Sequence, residues 1–136
     1  MKFSKTTTYA LRILTLMASN SDKMYTSVNL NKTLEIPKKY LQRLLTDLTR
    51  NGIITSIQGR YGGFVLSKHP SKITVANIVE AVEGLNEESS CFFGFEKCAL
   101  DKPCSMHNVW TETHKNVIKL LKKTKLSDLK NQRITD

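Results

Sequence analysis

Leu41, Leu44, Leu45 and Leu48 recur at the i, i+3, i+4, i+7 spacing of a single helix face, bounded by Pro37 and Gly52. That pattern predicts a helix over 37–51 that must bury one side and leave Lys39, Gln42, Arg43, Thr46 and Arg50 on the other. Proline fits the first turn of a helix, where its missing N–H is not needed, and glycine is the usual stop. Immediately afterwards the period changes. Ile53–Ile57 and Phe64–Ser67 are short apolar runs, separated by Gln58-Gly59-Arg60-Tyr61-Gly62-Gly63. This reads as a β-hairpin with a cation and an aromatic at a glycine-rich tip. A fold must therefore seat an amphipathic, cation-faced helix directly against a small two-stranded ribbon.

The rest of the chain supplies helices. Residues 4–19 read as one, with Ser4 as N-cap and Ala10, Ile13, Leu14 and Met17 as its apolar stripe. Thr26 can cap a short helix over 27–34, and Thr74 to Glu83 forms another, ended by Gly84. Residues 85–104 show little periodicity and hold all three cysteines. A last long helix runs from Ser105 to about Lys123 through Met106, Val109, Trp110, Val117, Leu120 and Leu121. The expected fold class is mainly α with a small β-hairpin.

Charge separates the two halves. Residues 1–72 carry 12 basic and 3 acidic side chains, whereas 73–136 carry 9 of each, so the net charge of +9 belongs to the first half. Such a concentration suits a polyanion, because neutralising phosphates releases condensed counterions. No strongly basic amphipathic helix is present to lie on an anionic membrane, and Arg12 with several threonines interrupts the early apolar stretch. Neither a membrane span nor a secretory leader is expected, and an odd cysteine count excludes a fully paired disulfide framework. The chain reads as cytoplasmic. There is no paired C-x-x-C, no dinucleotide-binding glycine fingerprint and no Ser/His or carboxylate constellation, so no enzyme activity and no small-molecule substrate are expected.

Helix, turn, polar-faced helix and basic ribbon together describe a winged helix-turn-helix, whose second helix enters the major groove of double-stranded DNA. Lys39 and Arg43 can meet guanine or phosphate, Gln42 can reach adenine, and Thr46 a phosphate or thymine methyl. Lys38 and Tyr40 flank them. At the ribbon, Arg60 is placed to enter a minor groove, with Gln58 and Tyr61 beside it. The competing reading is an amphipathic helix with an ordinary solvated face; the ribbon and the charged first half weigh against it.

A second constellation is Cys91, Cys98, Cys104 and His107, three thiols and an imidazole within 17 residues. Soft thiolates with imidazole suit zinc or an iron–sulfur cluster. Spacing alone favours zinc, although the gaps of six and five residues exceed those of most structural zinc sites. His69 lies apart and reads as a surface residue, and His114 as exposed or packed rather than ligating.

These features resemble the IscR/NsrR-type family of bacterial winged-helix transcription regulators along nearly the whole chain. The likeness rests on Met1-Lys2-Phe3-Ser4 through Tyr9-Ala10-Leu11, on Ile36-Pro37 with Tyr40-Leu41 and Leu44-Leu45, and on Leu48 with Asn51-Gly52. It continues through Gly59 to Gly63, Ile73-Thr74 to Val82-Glu83-Gly84, and Pro103-Cys104 with His107 and Trp110. The resemblance implies a homodimer crossed by long C-terminal dimerisation helices and bound to a palindromic operator. It also implies an iron–sulfur cluster on Cys91, Cys98 and Cys104. Relatives differ in the fourth ligand, some using a histidine three residues after the last cysteine and others an acidic residue of the first helix. Thr8 occupies that second region here, which favours His107 and a 2Fe–2S cluster ahead of 4Fe–4S. Where the family often has arginine before the first wing glycine, this chain has Gln58.

The expected organisation is a DNA-binding domain over 1–84, a cluster-binding loop over 85–104, and a dimerisation helix with tail over 105–136. The function it implies is a transcriptional regulator whose operator binding follows the cluster's response to nitric oxide, redox stress or iron–sulfur status. The alternative is a zinc-stabilised structural or protein-interaction module with no sensing role.

Overall fold

In the computed structural model Ser4 starts the first helix by accepting the Thr7 N–H on its hydroxyl at 3.2 Å. The described residues are 3–86, 91–93, 95 and 104–129. Helix α1 (Lys5–Ser19) buries the expected Ala10, Ile13, Leu14 and Met17, together with Thr7, Thr15 and Ala18. Helix α2 (Ser27–Leu34) opens with a reciprocal cap between Thr26 and Asn29. Glu35 ends it in the left-handed conformation, at φ 55°, uncommon for a residue with a Cβ. Two contacts hold that turn: the Glu35 N–H donates to the Asn31 carbonyl, and the Asn31 side chain donates to the Ile36 carbonyl at 2.6 Å. Ile36 is then fully buried, which fixes the entry into the next helix.

Helix α3 spans Lys38–Arg50, one residue shorter at each end than the periodicity predicts. Pro37 is its N-cap rather than its first turn, because its ψ of 136° is still extended. The far end is a Schellman turn: Gly52 sits at φ 73°, its N–H bonds the Thr49 carbonyl, and the Ile53 N–H bonds that of Leu48. Leu48 and Ile53, the apolar pair of that motif, are both buried.

Strands β1 (Ile54–Ile57) and β2 (Gly63–Leu66) pair antiparallel, with Ile54 opposite Leu66 and Ile57 opposite Gly63. Tyr25 adds a one-residue bridge to Phe64 through two backbone hydrogen bonds of 3.0 and 2.7 Å, tying the loop before α2 to the ribbon. Helix α4 (Val75–Val82) repeats the reciprocal cap with Thr74 and Asn77, and Gly84 follows at φ 81°.

Helix α5 (His107–Lys123) begins two residues later than the periodicity predicts. Its C-terminal half packs on α4, where Leu121 joins Val75, Ala76 and Val79 in a small second core. The chain then returns to the first half. The Leu126 N–H donates to the Ile73 carbonyl at 2.7 Å, and the Leu126 side chain is fully buried among residues of α1 to α4. Among the described residues no helix is long and apolar enough to cross a membrane.

Candidate nucleic-acid interface and cysteine segment

The buried stripe of α3 dictates where its cations go. With Leu41, Leu44, Leu45 and Leu48 at most 2% exposed, the opposite face presents Lys38, Lys39, Tyr40, Gln42, Arg43, Thr46 and Arg50, all exposed. One flank of this face does not run into open solvent. Gln42, Thr46, Thr49 and Arg50 line a groove of about 650 Å³ whose other wall is Ser56, Gln58 and Phe64 of the ribbon. Recognition helix and wing therefore share one concave surface. The Phe64–Tyr25 bridge holds that wall in place from behind.

At the wing tip the glycines have separate jobs. Gly59 sits at φ 113°, which only glycine adopts readily, and its carbonyl accepts the Gly62 N–H at 3.1 Å. A Cβ on Gly62 would collide with the Ile57 carbonyl oxygen, and one on Gly63 would come within 2.8 Å of the Tyr25 carbonyl. The tip carries Arg60, its guanidinium 5.6 Å from the Tyr61 ring, and Tyr61 is 85% exposed. A cation and an aromatic thus project from a tight turn with no core role to explain them. Gln58 lies differently: its amide donates to the Ser56 hydroxyl at 3.1 Å, turning it toward the groove.

The cysteine segment is described in part. Cys91 and Cys104 are half-buried, His107 is half-buried at the start of α5, and Cys98 lies outside the described residues. A helix starting at Ser105, as the periodicity predicts, would carry His107 in its first turn with Cys104 at its N-terminal edge. In the structure Cys104 precedes that helix, and the Cys104 carbonyl accepts the His107 N–H at 3.1 Å in a separate turn. Among the described residues no three His, Cys, Asp or Glu side chains form a metal-sized group. The segment meets α5 where Phe92 packs edge-on against Trp110 at 5.4 Å and where His114 Nε2 lies 2.8 Å from the Asn86 carbonyl. Thr8, in the region where some relatives place an acid, spends its hydroxyl on the Lys5 carbonyl at 2.8 Å. His69 caps a 3₁₀ turn (Pro70–Lys72) by accepting the Ser71 N–H.

Helix, turn, basic helix and glycine-tipped wing on one groove define a winged-helix DNA-binding protein. The comparisons agree. The chain belongs to the Rrf2 family, described as iron-dependent transcriptional regulators, whose model matches residues 3–132. It is 33% identical over 133 residues, 96% of this chain and 92% of the other, to an Aquifex aeolicus protein whose name says only that it is an HTH-type transcriptional regulator. It is 27% identical over 131 residues to the regulator NsrR of Oceanobacillus iheyensis, covering 95% of this chain and 89% of that one. Among solved structures, CymR, the global cysteine regulator of B. subtilis, superposes with a TM-score of 0.81 at 26% identity over 95% of both chains.

Proposed function

We propose that this chain is a homodimeric transcription regulator that reads a palindromic operator and is controlled by an iron–sulfur cluster on Cys91, Cys98, Cys104 and His107. The observation that carries the DNA-binding part is the groove shared by α3 and the wing. Lys38, Lys39, Tyr40, Gln42, Arg43 and Thr46 would meet the major groove and its phosphates, and Gln58, Arg60 and Tyr61 the adjoining minor groove. Dimerisation is supported by α5, where Val109 and Leu120 lie three turns apart on one face and are 60% and 61% exposed. Two exposed apolar side chains on one face of a long helix suit contact with a second copy related by a two-fold axis. On this reading residues 1–84 bind DNA, 85–104 sense and 105–136 dimerise.

The donor set suits the cluster: half-buried thiols flank the segment and an imidazole opens α5. When bound, the cluster supplies a centre reactive toward nitric oxide, oxidants and iron loss, with 2Fe–2S preferred over 4Fe–4S. The protein's own contribution is mechanical. Residues 85–106 connect α4 to α5, so whatever orders them acts on the start of α5. The far end of α5 is bonded to the DNA-binding half through Thr124 and Leu126. A change at one end of this helix thus alters how two recognition helices are spaced, and half-sites about 34 Å apart tolerate little error.

A second reading has a specific basis. The likeness to CymR, a cysteine regulator, supports the same DNA-binding fold driven by a signal other than a cluster. Anaerobic purification, an ultraviolet–visible spectrum and iron, sulfide and zinc analysis separate these. A brown protein whose operator affinity changes in Cys98→Ala supports the cluster sensor. A colourless protein that resists reconstitution and still binds DNA supports the second reading. One zinc per chain with no DNA binding leaves a structural module.

A further inference from the structure

Helix α1 carries no acidic residue, exposes Lys5, Thr8 and Ser19, and reaches the recognition helix through a pair of aromatic rings. The rings of Tyr9 and Tyr40 lie 6.2 Å apart and tilted by 56°. The Lys5 ammonium stands 5.8 Å from the Tyr9 ring centroid, so Lys5, Tyr9 and Tyr40 form one continuous cluster. On α3, Tyr40 lies on the flank away from the wing groove, since that groove is lined by Gln42, Thr46 and Thr49 instead. On that flank of α3 the next acid along the helix is Asp47, two turns on, and at the start of α1 Glu83 is engaged by the Ser4 N–H and the Thr7 hydroxyl.

Tyr9 is half-buried and packs against the main core, but core packing does not account for Lys5 or Tyr40. Lys5 is exposed, and Tyr40 is 46% exposed on a helix whose apolar needs are met by four leucines. A cation over an exposed ring contributes only about 0.5–1 kcal/mol to stability. What the cluster does provide is a cation and two tyrosines held together beside the N-terminal end of α3. A helix lying in a major groove has a phosphate strand on each side. In such a docking the wing would lie against one strand, and Lys5 with the Tyr9–Tyr40 pair stands on the other flank of α3.

We propose that the N-terminal half of α1 is a second DNA-backbone contact, in which Lys5 and the Tyr9 hydroxyl engage phosphates on the side of α3 away from the wing, with Tyr40 as their brace. The inference rests on the DNA-binding reading and extends the contact surface beyond the helix and wing. Phosphate contacts position a protein on the duplex without reading sequence, so the effect must be uniform across sequences.

The test measures affinity for a random-sequence duplex and for an operator selected from such duplexes, each across a salt series. Lys5→Gln is expected to lower the salt slope by about 0.9, the value for one phosphate contact, with the same loss on both duplexes. Tyr9→Phe keeps the ring and removes the hydroxyl, and is expected to weaken binding to both duplexes with no change in thermal midpoint. Lys119→Gln on α5 removes the same charge at an exposed site and serves as the control. If Lys5→Gln leaves the slope at the wild-type value, or lowers it no more than Lys119→Gln, the second contact is overturned while DNA binding stands. If the wild-type protein binds neither duplex, the DNA-binding reading falls and the inference with it.

Discussion

The hydroxyl of Thr7, a side chain with no solvent exposure, donates at 2.7 Å to Glu83 Oε1 across 76 residues of sequence. It joins the first turn of α1 to the end of α4. The same carboxylate oxygen also accepts the Ser4 N–H at 3.5 Å, so one acid serves both the cap and the buried threonine. Thr7→Val removes the donor while keeping the shape. Because a buried hydrogen bond contributes about 1 kcal/mol net, a loss of that order is expected in urea unfolding. Glu83→Gln retains an acceptor and is expected to cost less.

Arg43 stands on the exposed face of α3, with no part in the core. Arg43→Ala is expected to lower affinity for a selected operator by about 1–3 kcal/mol, and affinity for random duplex by less. Titration of both duplexes at one salt concentration checks this. Equal losses would reduce Arg43 to a phosphate contact.

The wing tip depends on Gly62 for clearance and on Arg60 for chemistry. Since a methyl group on Gly62 meets backbone rather than a movable side chain, Gly62→Ala must open the turn that presents Arg60. Both Gly62→Ala and Arg60→Ala are therefore expected to weaken operator binding, by about tenfold, or 1.4 kcal/mol. Circular dichroism is expected to show the helices intact in each.

Leu126 is fully buried in the core built by the first half of the chain, although it follows the last long helix. Leu126→Ala is expected to destabilise by about 2–5 kcal/mol, the range for buried leucine truncation. The readout that separates anchoring from mere filling is hydrogen exchange at the Leu126 and Val75 amides, whose bonds to Ile73 and Thr124 join the two halves. Both amides are expected to lose protection ahead of α3.

The parts legible in the sequence are those whose cause is local. A leucine every three or four residues sets the buried side of α3, and the cations are exposed because nothing else remains for that face. Thr26, Thr74, Gly52 and Gly84 punctuate the helices because capping and positive φ involve only near neighbours. The glycine-rich hairpin tip is local in the same sense. Folding alone decided the Tyr25–Phe64 bridge, the Thr7–Glu83 bond, the Tyr9–Tyr40 ring pair and the return of Leu126 to the first core. Each joins residues far apart in the chain, and a single residue meeting another across dozens of positions leaves no period to detect. The docking of Phe92 on Trp110 belongs with them. The sequence by itself determined which faces are apolar, which are cationic and where helices stop, since these follow from side-chain type and spacing. Only the tertiary structure decided which α3 side chains share a groove with the wing, which one meets α1, and how the last helix is tied to the first half of the chain, since those depend on long-range packing.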